Sequence, residues 1–218
     1  FSVWRGATVC LRGEHEAMTT NSNRIYRNFM LPFVCIKYKV LSLVDNTKFL
    51  PNPDCCMKKK ETHSTFYEYA SLKELGDKQQ ELIQKAIDAA SSAYAPYSQF
   101  YVGAAVMLEN GTIIQGSNQE NSAFPSGLCA ERTAAFYANS QYPDTPIVAL
   151  AVVARKDGKI VEKPVPPCGS CLQALLESEK RHQTTIEVIL YGSSVIHRAA
   201  NIEQFLPFGF TSLDLGGS

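Results

Sequence analysis

Tyr101-Val-Gly-Ala-Ala-Val-Met-Leu-Glu-Asn-Gly-Thr-Ile-Ile-Gln-Gly-Ser117 sets two β-prone runs on either side of Asn110-Gly111. Asn-Gly accepts the left-handed backbone of a tight hairpin turn, so the stretch predicts two antiparallel strands. Upstream, Leu82, Ile83, Ala86, Ile87 and Ala90 recur at helical spacing. That stripe predicts a helix capped by Asp77 and ending around Tyr94, just before Pro96. Downstream, Leu128–Ala138 reads as a helix, Ile147-Val-Ala-Leu-Ala-Val-Val153 as a fully buried strand and Cys168–Arg181 as a second helix. Ile186–Tyr191 reads as a strand and Ile202–Leu206 as a short helix. The order α-β-β-α-β-α-β-α describes a layered α/β domain around a central mixed sheet.

Composition narrows the function classes. Of 218 residues, 45% are hydrophobic and 19% charged, which is too apolar for wholesale disorder. Lys and Arg number 21 against 21 Asp and Glu, so the chain lacks the basic excess of a protein that grips nucleic acid. No run approaches the roughly 20 uncharged apolar residues needed to span a bilayer, and no membrane partner is expected. The balance is uneven along the chain: residues 1–70 carry ten basic and six acidic side chains, residues 71–218 eleven and fifteen. The first part is read as a poorly defined or disordered N-terminal extension and 71–218 as the folded domain. In the extension, Phe29–Val44 is apolar but broken by Pro32, Lys37 and Lys39, and Lys58–Lys60 reads as a solvated linker. Met57 is a candidate alternative start that leaves residues 1–56 outside the working protein.

Seven cysteines, an odd number, make a poor disulfide framework; reduced thiols and a cytoplasmic location are the expectation. Cys10, Cys35, Cys55 and Cys56 lie in the extension. Cys129 opens one predicted helix, and Cys168 and Cys171 open another after Pro164-Val-Pro-Pro167. The C-x-x-C pair lies one turn apart at a helix start, so its thiols face the same way, and Cys129 completes a three-sulfur face. Zn²⁺ suits it: thiolate is a preferred ligand, and three protein ligands leave a fourth tetrahedral position open. Three thiolates leave a net negative unit, which two helix N-termini and Arg132 offset. Glu131 stands beside that face as a proton shuttle for a water, a combination suited to attack on an electrophilic carbon. Other readings of C-x-x-C are a redox pair, or a structural zinc module whose fourth ligand is an extension cysteine. A redox motif would want a strand directly before it, where this chain has prolines.

Cys129-Ala-Glu131 followed by Pro167-Cys168-Gly-Ser-Cys171 resembles the signature of zinc-dependent nucleoside deaminases, whose three-cysteine variant and non-ligand Glu are a known class. Cysteine rather than His at position 129 is similar to the homotetrameric free-nucleoside branch, the cytidine deaminases. Ala95-Pro-Tyr-Ser-Gln-Phe-Tyr-Val-Gly-Ala-Ala105, Asn118-Gln-Glu-Asn121 and Phe205-Leu-Pro-Phe-Gly-Phe210 resemble further segments of that family, so the likeness covers about residues 75–213. It implies a three-layer α-β-α sandwich, one Zn²⁺ per subunit on Cys129, Cys168 and Cys171, and Glu131 as the catalytic proton carrier. It implies that Phe100 stacks on the pyrimidine, that Asn118 and Glu120 bind the ribose hydroxyls and that the Ala130 N–H meets the base carbonyl. It also implies that Arg132 compensates thiolate charge and that Phe210 approaches the active site of a neighbouring subunit.

From the residues alone, Phe100 reads as core, Asn118 and Glu120 as turn residues and Phe210 as a tail anchor. The implied reaction is hydrolysis of cytidine and 2′-deoxycytidine to the uridines and ammonia, in pyrimidine salvage, with a small nucleoside and no nucleic acid as partner. The alternatives are another aminated heterocycle, such as an aminonucleoside antibiotic, and the structural zinc module. The family commonly has Arg after the second C-x-x-C cysteine; here Leu172 stands there.

Overall fold

In the computed structural model, alternation along the hairpin sends Ala104, Val106 and Leu108 into one apolar cluster and Ala105 and Met107 into another. Residues 58–216 are described; Cys10, Cys35, Cys55, Cys56, the Phe29–Val44 run and Met57 lie outside them. Lys60–Ser218 forms one compact unit. Its strands are β1 (Tyr67–Tyr69), β2 (Phe100–Leu108), β3 (Ile113–Ser117), β4 (Ile147–Lys156), β5 (Lys159–Ile160), β6 (Glu187–Tyr191) and β7 (Ile196–Ala199). Its α-helices are α1 (Asp77–Ala89), α2 (Ala130–Gln141) and α3 (Gly169–His182).

The strands form one sheet in the order β1-β7-β6-β4-β2-β3, with β5 paired to β4. The β4–β6 pair is parallel and the other pairs are antiparallel, so the sheet is mixed as expected. Leu82, Ile83 and Ala86 of α1 pack on one face with Ala151, Val153 and Ile189. Ala134 and Ala138 of α2 and Leu172, Leu175 and Leu176 of α3 pack on the other with Leu150, Val152 and Val188. The result is the three-layer α-β-α sandwich. Each fully buried Leu or Ile in these clusters contributes about 1.5–3 kcal/mol.

Two glycines set the spacing of the layers. A Cβ on Gly103 would stand 2.0 Å from the Ala86 carbonyl oxygen, and one on Gly116 would stand 2.4 Å from the Ala134 nitrogen. Both helices therefore touch the sheet backbone directly.

Several boundaries differ from the sequence reading. Gly76, not Asp77, is the N-cap of α1, because the Gln79 side chain accepts from the Gly76 N–H at 2.9 Å and closes the turn one residue earlier. The α-helix ends at Ala89, and Ala90–Ser92 continues as a 3-10 turn. Ile202–Leu206 is likewise a 3-10 turn, over Ile202–Gln204. β1 lies upstream of position 71, and its pairing of Tyr67 with Arg198 and Tyr69 with Ile196 draws that segment into the sheet. Among the described residues no helix is long and apolar enough to cross a membrane.

Candidate active site

Cys129 is the N-cap of α2 and Cys168 the N-cap of α3, each with extended backbone and no side-chain capping bond. Their thiols thus stand at two helix N-termini without being consumed by them. Cys171 follows in the first turn of α3, fully buried. The contact of Gly116 with Ala130 and Ala134 seats the start of α2 against β3, and the packing of Leu172, Leu175 and Leu176 seats α3 on the same face. The Cys129 and Cys168 sulfurs are 3.8 Å apart, Cys168 and Cys171 3.4 Å, and all three lie within 4.8 Å of one another. Four ligands at about 2.3 Å around a tetrahedral Zn²⁺ stand about 3.8 Å from one another, so the donor set and its spacing fit that ion. Among the described residues, the metal-binding group consists of these three thiols.

Charge at the cluster is organised by hydrogen bonds. Cys171 and then Arg132 hydrogen-bond to Cys129 and hold its thiol well below the ordinary range, while the same contact with Cys129, together with burial, pushes Cys171 up. The Arg132 Nη2 donates to the Cys129 sulfur at 3.9 Å, and that partner raises the guanidinium pKa. Glu131, in the first turn of α2, is buried to 4% exposure. Burial first, and then the Cys129 charge, push its carboxyl up to about 7, despite opposing hydrogen bonds from its own N–H and from Cys171. A carboxyl poised near neutrality can both take and give a proton.

A cavity of about 570 Å³ opens beside the cluster, and Tyr97, Asn118, Glu120, Phe124, Cys129 and Arg132 line it. A second cavity of about 470 Å³, between the start of α1 and β4, has no thiol in its lining. The structure thus gathers Asn118, Glu120, Cys129 and Arg132 on one space. Phe100, Ala130, Glu131, Cys168, Cys171 and Phe210 are not part of its lining.

Phe100 is half-buried at the start of β2, and Ala130 is fully buried as the first residue of α2. Phe210 is 55% exposed; its N–H donates to the Gln173 side chain at 3.1 Å and its carbonyl accepts from it at 2.6 Å. Leu172 is 6% exposed and packs in the core with α2, so an apolar partner, not a cation, occupies that position.

The polar groups of Asn118 and Glu120 are already engaged. Asn118 accepts from the Val102 N–H at 2.8 Å and donates to the Phe100 carbonyl at 2.9 Å. The Glu120 carboxylate accepts from the Tyr97 and Ser98 N–H groups at 3.0 and 3.3 Å. The Ser98 hydroxyl, then those amides, hold its pKa down. Sequence reading missed Tyr97 and Phe124, which meet edge to face at 5.9 Å on this wall; the signal was an aromatic set among turn residues.

A family model described as the cytidine and deoxycytidylate deaminase zinc-binding region matches residues 77–186. The cytidine deaminase of Halalkalibacterium halodurans is 39% identical over 136 residues, which is 62% of this chain and 96% of that protein. The cytidine deaminase of Sporosarcina psychrophila is 48% identical over 98 residues, 45% of this chain and 68% of that protein. A crystal structure of the cytidine deaminase from Burkholderia pseudomallei has a TM-score of 0.51 at 36% identity, covering 60% of this chain and 97% of its own. The chain belongs to the cytidine and deoxycytidylate deaminase zinc-binding family.

Proposed function

We propose that this chain hydrolyses cytidine and 2′-deoxycytidine to uridine and 2′-deoxyuridine, releasing ammonia. The observation that carries this reading is the triad of thiols spaced for one Zn²⁺ with Glu131, buried and near neutral pKa, beside it. The two relatives and the solved structure named above, all cytidine deaminases, support it. Zn²⁺ on Cys129, Cys168 and Cys171 supplies the Lewis acidity that makes a water nucleophilic near neutral pH.

Glu131 takes a proton from the attacking water and passes it to ring N3, which makes C4 more electrophilic. The water oxygen bonds to C4, Glu131 takes the second proton from that oxygen and passes it to the exocyclic amino group, and the C4–N bond breaks with loss of ammonia as the C4 carbonyl forms. Arg132 holds Cys129 in its charged form. The Ala130 N–H, at a helix N-terminus, donates to the base carbonyl. Phe100 stacks on the base, and Asn118 and Glu120 receive the ribose hydroxyls with the hydrogen-bonding capacity left after their backbone bonds. The working unit is residues 71–218 together with β1, with residues 1–70 otherwise an extension.

Phe210 acts at the site of a neighbouring subunit in a homotetramer, and the exposed Phe208, Phe210, Leu213 and Leu215 support such association. The setting is pyrimidine salvage in the cytoplasm. The test is loss of cytidine ultraviolet absorbance with ammonia assayed in the same tube. Loss with one ammonia per cytidine is expected; zinc-loaded, folded chain that leaves cytidine intact would turn the reading toward another aminated heterocycle.

A further inference from the structure

Between α1 and β2, residues 95–99 turn sharply along the wall of the cavity. Gln99 has φ of 54°, in the left-handed region, although it carries a side chain. Such a backbone is unfavourable for a non-glycine residue and persists only where its surroundings impose it. Here both ends of the amide side chain are bound. Nε2 donates to the Ala95 and Pro96 carbonyls at 3.3 and 3.0 Å, and Oε1 accepts from the Tyr101 hydroxyl at 2.9 Å. The Gln99 N–H also donates to the Ala95 carbonyl at 3.1 Å. One side chain thus ties the residues before the turn to β2 just beyond it.

The opposite side of the loop is held by the cavity wall. Glu120 accepts from the Tyr97 and Ser98 amides, and Asn118 grips the Phe100 carbonyl. The Ser98 hydroxyl accepts from the Phe100 N–H at 3.1 Å. Phe100 is therefore fixed at both its N–H and its carbonyl, and Gln99 closes the turn that delivers it. Gln99 is exposed and stands neither in the core clusters nor in the cavity lining, so its bonds serve the shape of the loop.

We infer that Gln99 is a positioning residue: its left-handed backbone and doubly bonded amide hold the loop so that Phe100 meets the flat base of the substrate. This rests on the reading of Phe100 as the base-stacking residue. Gln99→Gly tests it, because glycine accepts the positive φ without strain while deleting the amide. Gln99→Asn is the conservative variant, since Asn tolerates the same backbone and keeps a shorter amide.

The expected Gln99→Gly protein melts no lower than wild type, exchanges its residue 97–102 amides roughly tenfold faster, and has KM for cytidine raised roughly five- to tenfold with kcat within about twofold. Gln99→Asn falls between the two. Unchanged amide exchange, or a KM within about twofold of wild type, overturns the assignment. Absent wild-type turnover of cytidine would overturn the proposed function instead, and the exchange rates then decide the role of Gln99 in the loop by themselves.

Discussion

Gly116 on β3 runs so close to α2 that a Cβ there would stand 2.4 Å from the Ala134 nitrogen and 2.6 Å from the Ala130 carbonyl oxygen. Ala130 directly follows Cys129, so this backbone-to-backbone contact fixes how the first thiol is presented. Neither neighbour is a flexible side chain that can swing away. Gly116→Ala should push α2 off the sheet and destabilise the protein by about 1–3 kcal/mol. Calorimetry should show a lower melting temperature, and metal analysis should show less than one zinc per chain.

Glu131→Gln keeps the shape of the side chain and removes its capacity to carry a proton. Turnover should fall by roughly 10²–10⁴-fold with zinc content unchanged. A near-normal rate with full zinc would remove Glu131 from the mechanism.

The same pair of proteins, stripped of metal, tests the electrostatics. The Glu131 carboxyl rises from 4.5 to about 7 on folding, so the folded state favours its protonated form. Its contribution to stability is fully present below about pH 4.5 and is lost as pH rises through about 7. Wild type should therefore lose stability relative to Glu131→Gln across that window. Both proteins carry the same cysteines, so the difference reports the carboxyl together with its interaction with the Cys129 charge, and parallel melting curves from pH 4.5 to 7 would contradict the burial argument.

Glu179 on α3 is 4% exposed, and burial raises its pKa. Its Oε1 accepts from the Ile186 N–H at 2.7 Å and the Ile202 N–H at 3.1 Å, tying α3 to the chain entering β6 and to the 3-10 turn after β7. Glu179→Ala leaves two buried donors without a partner, at about 1–3 kcal/mol each. Glu179→Gln retains an acceptor oxygen and should lose less than half as much, as measured by denaturant unfolding.

Leu172 invites a substitution toward the cation common in the family. Its side chain is 6% exposed within the core formed with α2. Leu172→Arg would bury a charge at a cost of several kcal/mol. It should lower the unfolding midpoint in denaturant and should not raise the rate; a faster, equally stable variant would contradict the core placement.

The legible parts of the fold were those encoded by local pattern. Alternation around Asn110-Gly111 announced β2 and β3, and the Leu82, Ile83 and Ala86 stripe announced α1. β1, β5 and β7 went unread because they have three, two and four residues and depend on partners distant in sequence, as Tyr67 depends on Arg198. The thiol set was legible because Cys168 and Cys171 share one helical turn and Cys129 precedes Glu131 in a recognisable motif. Asn118 was legible as a polar turn residue, but its grip on the β2 backbone was not, since that needs the strand register. Glu179 sits in a helix of mixed polarity, where an acidic residue reads as solvent-facing until the layers are assembled.

The most direct test of the central claim is mass analysis of the uridine formed when the zinc-loaded full chain acts on cytidine in ¹⁸O-labelled water. The account predicts one ammonia released per uridine and one heavy oxygen in each product, at the carbon that lost its amino group. Uridine without the label, or no uridine from folded protein carrying zinc, would contradict it.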